Sequence, residues 1–92
     1  MYSVLVNVSI ASGQFEAARS QLRERVVAGV RSAPGFVKGY WTVSADHTRG
    51  KSLAVFQTKE NADNAANMVR TNQTPPGVTL NDVEVCEVVA DA

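Results

Sequence analysis

Two residues of this chain could act directly in catalysis, and the sequence around each limits that role. His47 is the only histidine, and its ordinary pKa lies near neutrality, which makes it the natural general base. It stands between Asp46 and Thr48 in a short polar stretch, which favours a solvated loop outside any active site. Cys86 is the only cysteine and has no histidine or acidic residue at a spacing typical of nucleophilic catalysis. We interpret it as an unreactive buried thiol, and we expect no metal site, no cofactor and no internal disulfide.

A polar residue inside the first apolar stretch is the best candidate for ligand binding. Asn7 interrupts a run of β-branched residues, and we expect it to lie on the side of the sheet that the helices cover. An unpaired buried amide costs about 1–3 kcal/mol, so Asn7 needs a partner. That partner is either a phenol or ketone oxygen of a ligand, or else a helix end or a buried water. We place Tyr40, Phe56 and Met68 beside Asn7 in one ligand pocket. Core packing is the alternative for Phe56 and Met68, and the sequence leaves open whether Tyr40 or Trp41 faces the pocket.

Hydrophobic periodicity predicts the elements that position these residues. Residues 2–10 alternate with a period of two and are rich in valine, which indicates a strand. From residue 14 the apolar residues recur every three or four positions, which indicates an amphipathic helix. The same reasoning along the chain predicts strands at 2–10, 36–45, 51–58 and 78–90, and helices at 14–32 and 60–71.

The order β-α-β-β-α-β predicts an α+β fold of the ferredoxin-like type in a single domain, residues 1–92. Its four-stranded antiparallel sheet would carry both helices on one face. The strands nevertheless have apolar residues on both sides, and soluble monomers avoid large exposed apolar patches. We therefore expect a homodimer in which two sheets face each other, with Trp41, Val37 and Val43 in the interface between the sheets.

The composition excludes several classes of partner. The chain has 92 residues, and nine Lys and Arg balance nine Asp and Glu. Nucleic-acid binding usually requires an excess of basic residues, so it is not expected here. No apolar run is long enough to cross a membrane, and the first residues carry no positive charge of the kind that begins a signal peptide. We expect a cytoplasmic protein that binds neither nucleic acid nor a membrane.

The segment Ala33-Pro34-Gly35-Phe36-Val37-x-Gly39 resembles a known family when it is taken with the strand asparagine and the long first helix. The likeness is to the dimeric α+β barrel superfamily, and within it to small proteins similar to antibiotic-biosynthesis monooxygenases. This resemblance implies a ferredoxin-like monomer and a barrel formed by the two sheets of a dimer. Members include cofactor-independent oxygenases of quinols or polyketides and haem-degrading enzymes. The latter bind iron through a histidine on the second helix; that position falls near Ala66 or Asn67 here, so haem is not expected.

Two functions are compatible with these observations. The first is a protein that binds a small aromatic ligand, with cofactor-independent monooxygenation of an aromatic or quinol-like substrate as its activity. Such chemistry requires an electron-rich substrate, exclusion of water and hydrogen-bond donors, for which Asn7 and Tyr40 are the candidates. The alternative is a non-catalytic ligand-binding or assembly module of the same fold.

Overall fold

A computed structural model describes residues 1–92 and confirms the predicted α+β fold. One antiparallel sheet has the strand order β2-β3-β1-β4, as in ferredoxin-like folds. The first helical segment, residues 15–31, is continuous, and a π-helical turn divides it into α1 and α2. The elements are β1 (Tyr2–Ile10), α1 (Phe15–Gln21), the π turn (Leu22–Val26), α2 (Val27–Arg31), β2 (Phe36–Val43), β3 (Arg49–Phe56), α3 (Lys59–Thr71) and β4 (Val78–Glu87).

The central strand β1 defines the two faces of the sheet. Val4 is buried against α3, and the side chains of Val6 and Val8 point to the same side. We call this side the helix-covered face. Leu5 and Asn7 lie on the opposite side, which no helix covers and which we call the open face. The most apolar row of β1 therefore faces the helices.

The buried core lies between α3 and the sheet. Phe56 on β3 is completely buried, as are Ala62 and Ala66 on α3. Alanine adds little volume, so α3 packs close to the strands. Thr58 caps this helix by accepting a hydrogen bond from the Asn61 backbone N–H at 3.1 Å.

The first helical segment packs less closely. Val30 and Ala33, near its C-terminal end, contact the core, whereas α1 and the π turn have only sparse contact with the strands. Its N-terminal half therefore lies over the sheet with space beneath it.

An irregularity at the start of β2 decides which side chains face the helices. Phe36 pairs with Phe56, but the next residue of β3, Val55, pairs with Lys38, so the register shifts by one residue. The Phe36 and Phe56 rings meet edge to face, with centroids 5.9 Å apart. Beyond the bulge, Trp41 has its side chain on the helix-covered face. The expectation that Trp41 lies between the sheets of a dimer is therefore wrong, because one extra residue reverses the alternation.

None of the helices is both long enough and apolar enough to cross a membrane.

Candidate functional site

A cavity lies between the first helical segment and the helix-covered face of the sheet. Its volume is about 400 Å³, within the range of small-molecule sites. Of its 31 lining residues, 19 are hydrophobic. The sheet forms the floor, the first helical segment forms the roof, and the end of α3 with the loop before β4 forms one wall. Residues that represent these three parts are Val6 and Val8 of the floor, Leu22 and Val26 of the roof, and Met68 and Pro75 of the wall.

The floor carries two polar groups in an otherwise apolar surface. Trp41 on β2 and Ser52 on β3 are cross-strand partners, and both line the cavity. Neither the indole N–H nor the hydroxyl makes a hydrogen bond within the chain, yet no buried side-chain nitrogen or oxygen lacks a partner. Both groups must therefore retain access to solvent. Together they offer a ligand one fixed donor and one rotatable donor or acceptor.

A glycine on β2 leaves space for the Trp41 ring on the floor of the cavity. A Cβ at Gly39 would lie 2.9 Å from two atoms of that ring, closer than real contacts allow. Only glycine, which has no Cβ, leaves room for the indole at this position. The glycine of the Pro-Gly-Phe-Val-x-Gly segment is thus explained by the tryptophan two residues later.

The roof contains the irregular part of the helix. The Val27 backbone N–H donates to the Leu22 carbonyl five residues earlier, which widens the turn. Leu22 and Val26 from this turn line the cavity. Wide turns of this kind occur often at functional sites. Periodicity did not predict this one, because a single wide turn barely changes the spacing of the apolar residues.

The β2–β3 hairpin reaches one end of the cavity. His47, at a positive φ of 60°, stacks on Phe15 of α1 with ring centroids 4.1 Å apart. The Arg19 guanidinium lies 5.9 Å from the same ring. Phe15 lines the cavity but His47 does not. The histidine is an exposed turn residue outside the cavity lining, so the structure does not place it to act as a general base on a ligand inside.

The structure does not bring the four predicted ligand residues together. Phe56 and Met68 line the cavity, whereas Asn7 and Tyr40 lie on the open face. The prediction that Asn7 faces the helices is wrong, because Asn7 belongs to the row of Leu5 on the open face. Tyr40 is separated from Phe56 because the bulge in β2 reverses the alternation between Phe36 and Tyr40.

Asn7 and Tyr40 have polar or mixed surroundings on the open face. Asn7 pairs with Lys51 on one side and with Asp82 on the other. Tyr40 is 54 % exposed and pairs with Leu53. Interaction with Tyr40 raises the pKa of Lys38, whose ammonium lies 5.4 Å from the tyrosine ring centroid.

The single thiol also belongs to the open face. Cys86 pairs with Ser3 of β1, whose hydroxyl donates to the Cys86 carbonyl at 3.2 Å. Partial burial, and to a lesser degree the nearby Glu84 carboxylate, raise the pKa of the Cys86 thiol. A raised pKa keeps the thiol protonated at neutral pH, which agrees with its interpretation as unreactive.

Sequence reasoning left Trp41 open as an alternative to Tyr40 and missed Ser52. Ser52 follows Lys51 in a mixed strand, and nothing in its local sequence distinguishes it from a surface serine. The pairing register of the strands could have identified it, because Ser52 is the cross-strand partner of both Val6 and Trp41. That register depends on the bulge in β2.

Comparison of the chain with models of known protein families finds no match, and comparison with curated proteins finds none either.

Proposed function

We propose that this protein binds a small aromatic molecule in the cavity under the first helical segment. The observation that carries the proposal is the cavity itself, about 400 Å³ in volume with a mostly hydrophobic lining. A flat ring system would displace water from the valines of the floor, and burial of apolar surface favours binding by about 25 cal/mol per Å² before the costs of association. Trp41 supplies a surface for stacking, and Ser52 supplies a hydrogen bond to a phenol or ketone oxygen.

A cavity-filling substitution tests this site. Val26→Trp places a large ring in the roof of the cavity, whereas Val27→Trp makes the same change at the next residue, which does not line it. We expect saturable binding of the neutral fluorescent probe 1-pyrenebutanol to the natural protein and to Val27→Trp. Binding to Val26→Trp should be at least about tenfold weaker, because bulk replaces the space for the probe. Circular dichroism checks that both variants are folded. Absence of saturable binding to the natural protein would contradict the proposal.

We further propose cofactor-independent monooxygenation as the activity of this site. The observation in its favour is the pair of free polar groups at Ser52 and Trp41 on an apolar floor. In such a reaction an activated CH₂ of an anthrone-type substrate becomes a carbonyl, one oxygen atom enters the product and the other leaves as water. The four electrons come from the substrate, so the protein has to bind it, shield it from water and stabilise its oxyanion.

Oxygen uptake separates this activity from the non-catalytic alternative. With anthrone as substrate, we expect one O₂ consumed per product and a lower kcat for Ser52→Ala, with binding retained. The control is Ser20→Ala on the outer surface of α1, which should leave kcat unchanged. Saturable binding without oxygen uptake would identify the chain as a binding module.

We propose that the open face pairs with the same face of a second copy, which completes a dimeric α+β barrel. Its centre is the apolar row formed by Leu5, Leu53 and Tyr40. Acidic residues lie on β4 at one edge of this face, and basic residues lie on β3 and β2 toward the other edge. A twofold axis parallel to the strands places the acidic edge of each copy against the basic side of its partner. The charged residues are Asp82 and Glu84 on one side, and Lys38, Arg49 and Lys51 on the other.

A further inference from the structure

The charged side chains around the cavity all have the same sign. Arg19, Arg23 and Arg25 line its roof, and no aspartate or glutamate lines it anywhere. Lys51 also borders the cavity, but it pairs with Asn7 and therefore directs its side chain to the open face. The whole chain has equal numbers of acidic and basic residues, so this local excess is a property of the site.

Two of the three arginines have no ionic partner. The Arg19 guanidinium lies 3.2 Å from the Glu16 carboxylate and also over the Phe15 ring. The chain's other ion pair joins Lys59 to Asp63, so neither Arg23 nor Arg25 has a carboxylate within 4 Å. An arginine cannot lose its charge at physiological pH, so both keep an unpaired positive charge beside an apolar space.

Helix geometry places these two arginines on both sides of the apolar stripe. At about 100° per residue, Arg23 and Arg25 lie on opposite sides of Leu22 and Val26, separated by about 160° across the cavity side of the helix. A ligand held under Leu22 and Val26 thus has a guanidinium at either edge. Each guanidinium can bind a carboxylate through two parallel hydrogen bonds.

We propose that the ligand of this cavity is an amphipathic anion, an aromatic body that carries a carboxylate. The inference rests on the proposed function, because it names the chemical class that the same cavity accepts. The aromatic body occupies the space over Trp41 and Val6, and the carboxylate stays at the edge of the roof beside Arg23 or Arg25. This arrangement leaves the anion partly hydrated, so the desolvation cost of burying a charge is avoided.

A pair of probes that differ in charge tests the proposal. 1-Pyrenebutyrate and 1-pyrenebutanol share the aromatic body and the linker, and only the first is an anion at pH 7.5. We expect the butyrate to bind about tenfold more tightly at low ionic strength, and the difference to shrink as salt is added. Arg23→Gln or Arg25→Gln should remove most of this difference and leave the affinity for the alcohol within about twofold. The matched control is Arg31→Gln, on the same helical segment but outside the cavity lining, which should change neither affinity.

Each of the other outcomes has a definite meaning. Equal affinity for the two probes would overturn the amphipathic anion and leave the aromatic site in place. A preference for the butyrate that survives both arginine substitutions, or that falls equally with Arg31→Gln, would also overturn it. Binding of neither probe would contradict the proposed function itself.

Discussion

At the residue scale, a single carboxylate organises the β2–β3 turn. The same Asp46 oxygen accepts hydrogen bonds from the Thr48 hydroxyl at 2.7 Å, the Ser44 hydroxyl at 2.8 Å and the Thr48 backbone N–H at 3.1 Å. These bonds lower the pKa of Asp46 to about 2 from an ordinary value of 3.8, and the bond from the Thr48 hydroxyl has the largest effect. The turn that they hold places His47 on Phe15, so a solvated aspartate supports one end of the cavity.

The low pKa of Asp46 predicts how the turn responds to acid. A lowered folded-state pKa stabilises the fold fully above the unfolded value of 3.8, and this contribution is lost as the pH falls through about 2. We expect the carboxyl resonance of Asp46 to titrate near pH 2 by NMR. The loss of thermal stability between pH 4 and pH 2 should be smaller in Asp46→Asn than in the natural protein. Asp91→Asn, in the C-terminal tail, serves as the control, and titration of Asp46 at 3.8 or above would contradict the prediction.

At the element scale, the roof helix contains a glycine whose cost can be measured. Gly29 lies in α2, and a Cβ there would meet no atom within 4 Å. Because glycine in a helix is less stable than alanine by about 0.5–1 kcal/mol, we expect Gly29→Ala to raise the free energy of unfolding by that amount. The melting temperature should rise by about 2–8 °C in a calorimetric scan. Gly13→Ala meets no atom either, but at a φ of +81° it should lower stability. A loss of stability in Gly29→Ala would mean that the roof needs a flexible residue there.

The order of the elements could be predicted from the sequence, but the facing of their side chains could not. Alternation placed β1 at its observed bounds, and the apolar spacing placed the first helical segment within one residue at each end. The prediction of which side chains face the helices failed in β2. There a bulge between Phe36 and Lys38 inserts one extra residue into the strand, and no feature of the sequence indicates it. This bulge separates Tyr40 from Phe56, and it brings Trp41 into the cavity. The error at Asn7 has another cause: alternation places Asn7 in the polar row with Ser3 and Ser9, opposite the wholly apolar row of Val4, and it is the apolar row that packs against α3.

At the scale of the whole molecule, burial is sparse for a folded chain. Nine of the 92 residues are buried, and Phe56 is the only large side chain that is completely enclosed. A domain of this size has a small core in any case, and here the cavity reduces it further. Pairing of the open faces would bury Leu5, Leu53 and Val55, which lie on it in adjacent rows. We therefore expect the stability of the fold to depend on protein concentration.

A charge on the open face tests this pairing. Val55→Glu introduces a carboxylate in the row next to Leu5 and Leu53, where the two sheets would meet, and removing a charge from water is strongly unfavourable even with Lys38 on the neighbouring strand. We expect the natural protein to sediment as a dimer at micromolar concentration, and Val55→Glu to sediment as a 9.9 kDa monomer or to unfold. Ala28→Glu adds the same charge on the exposed side of the first helical segment and should remain dimeric. A natural protein that sediments at 9.9 kDa would exclude the pairing.

The unequal packing of the two helical segments determines where the native state opens first. Residues 59–71 close on the sheet through buried alanines, so their amide hydrogens should exchange with solvent only on global unfolding. The segment 15–31 covers a cavity and has few contacts that hold it down, so it can detach locally at a much smaller free-energy cost. Such opening gives a ligand its path in and out, and the ligand's residence time then reflects the rate at which the roof lifts. A bound ligand should slow the exchange of amide hydrogens in residues 15–31 and leave the exchange in α3 unchanged. Amide exchange in the first helical segment therefore measures how much of the cavity is occupied.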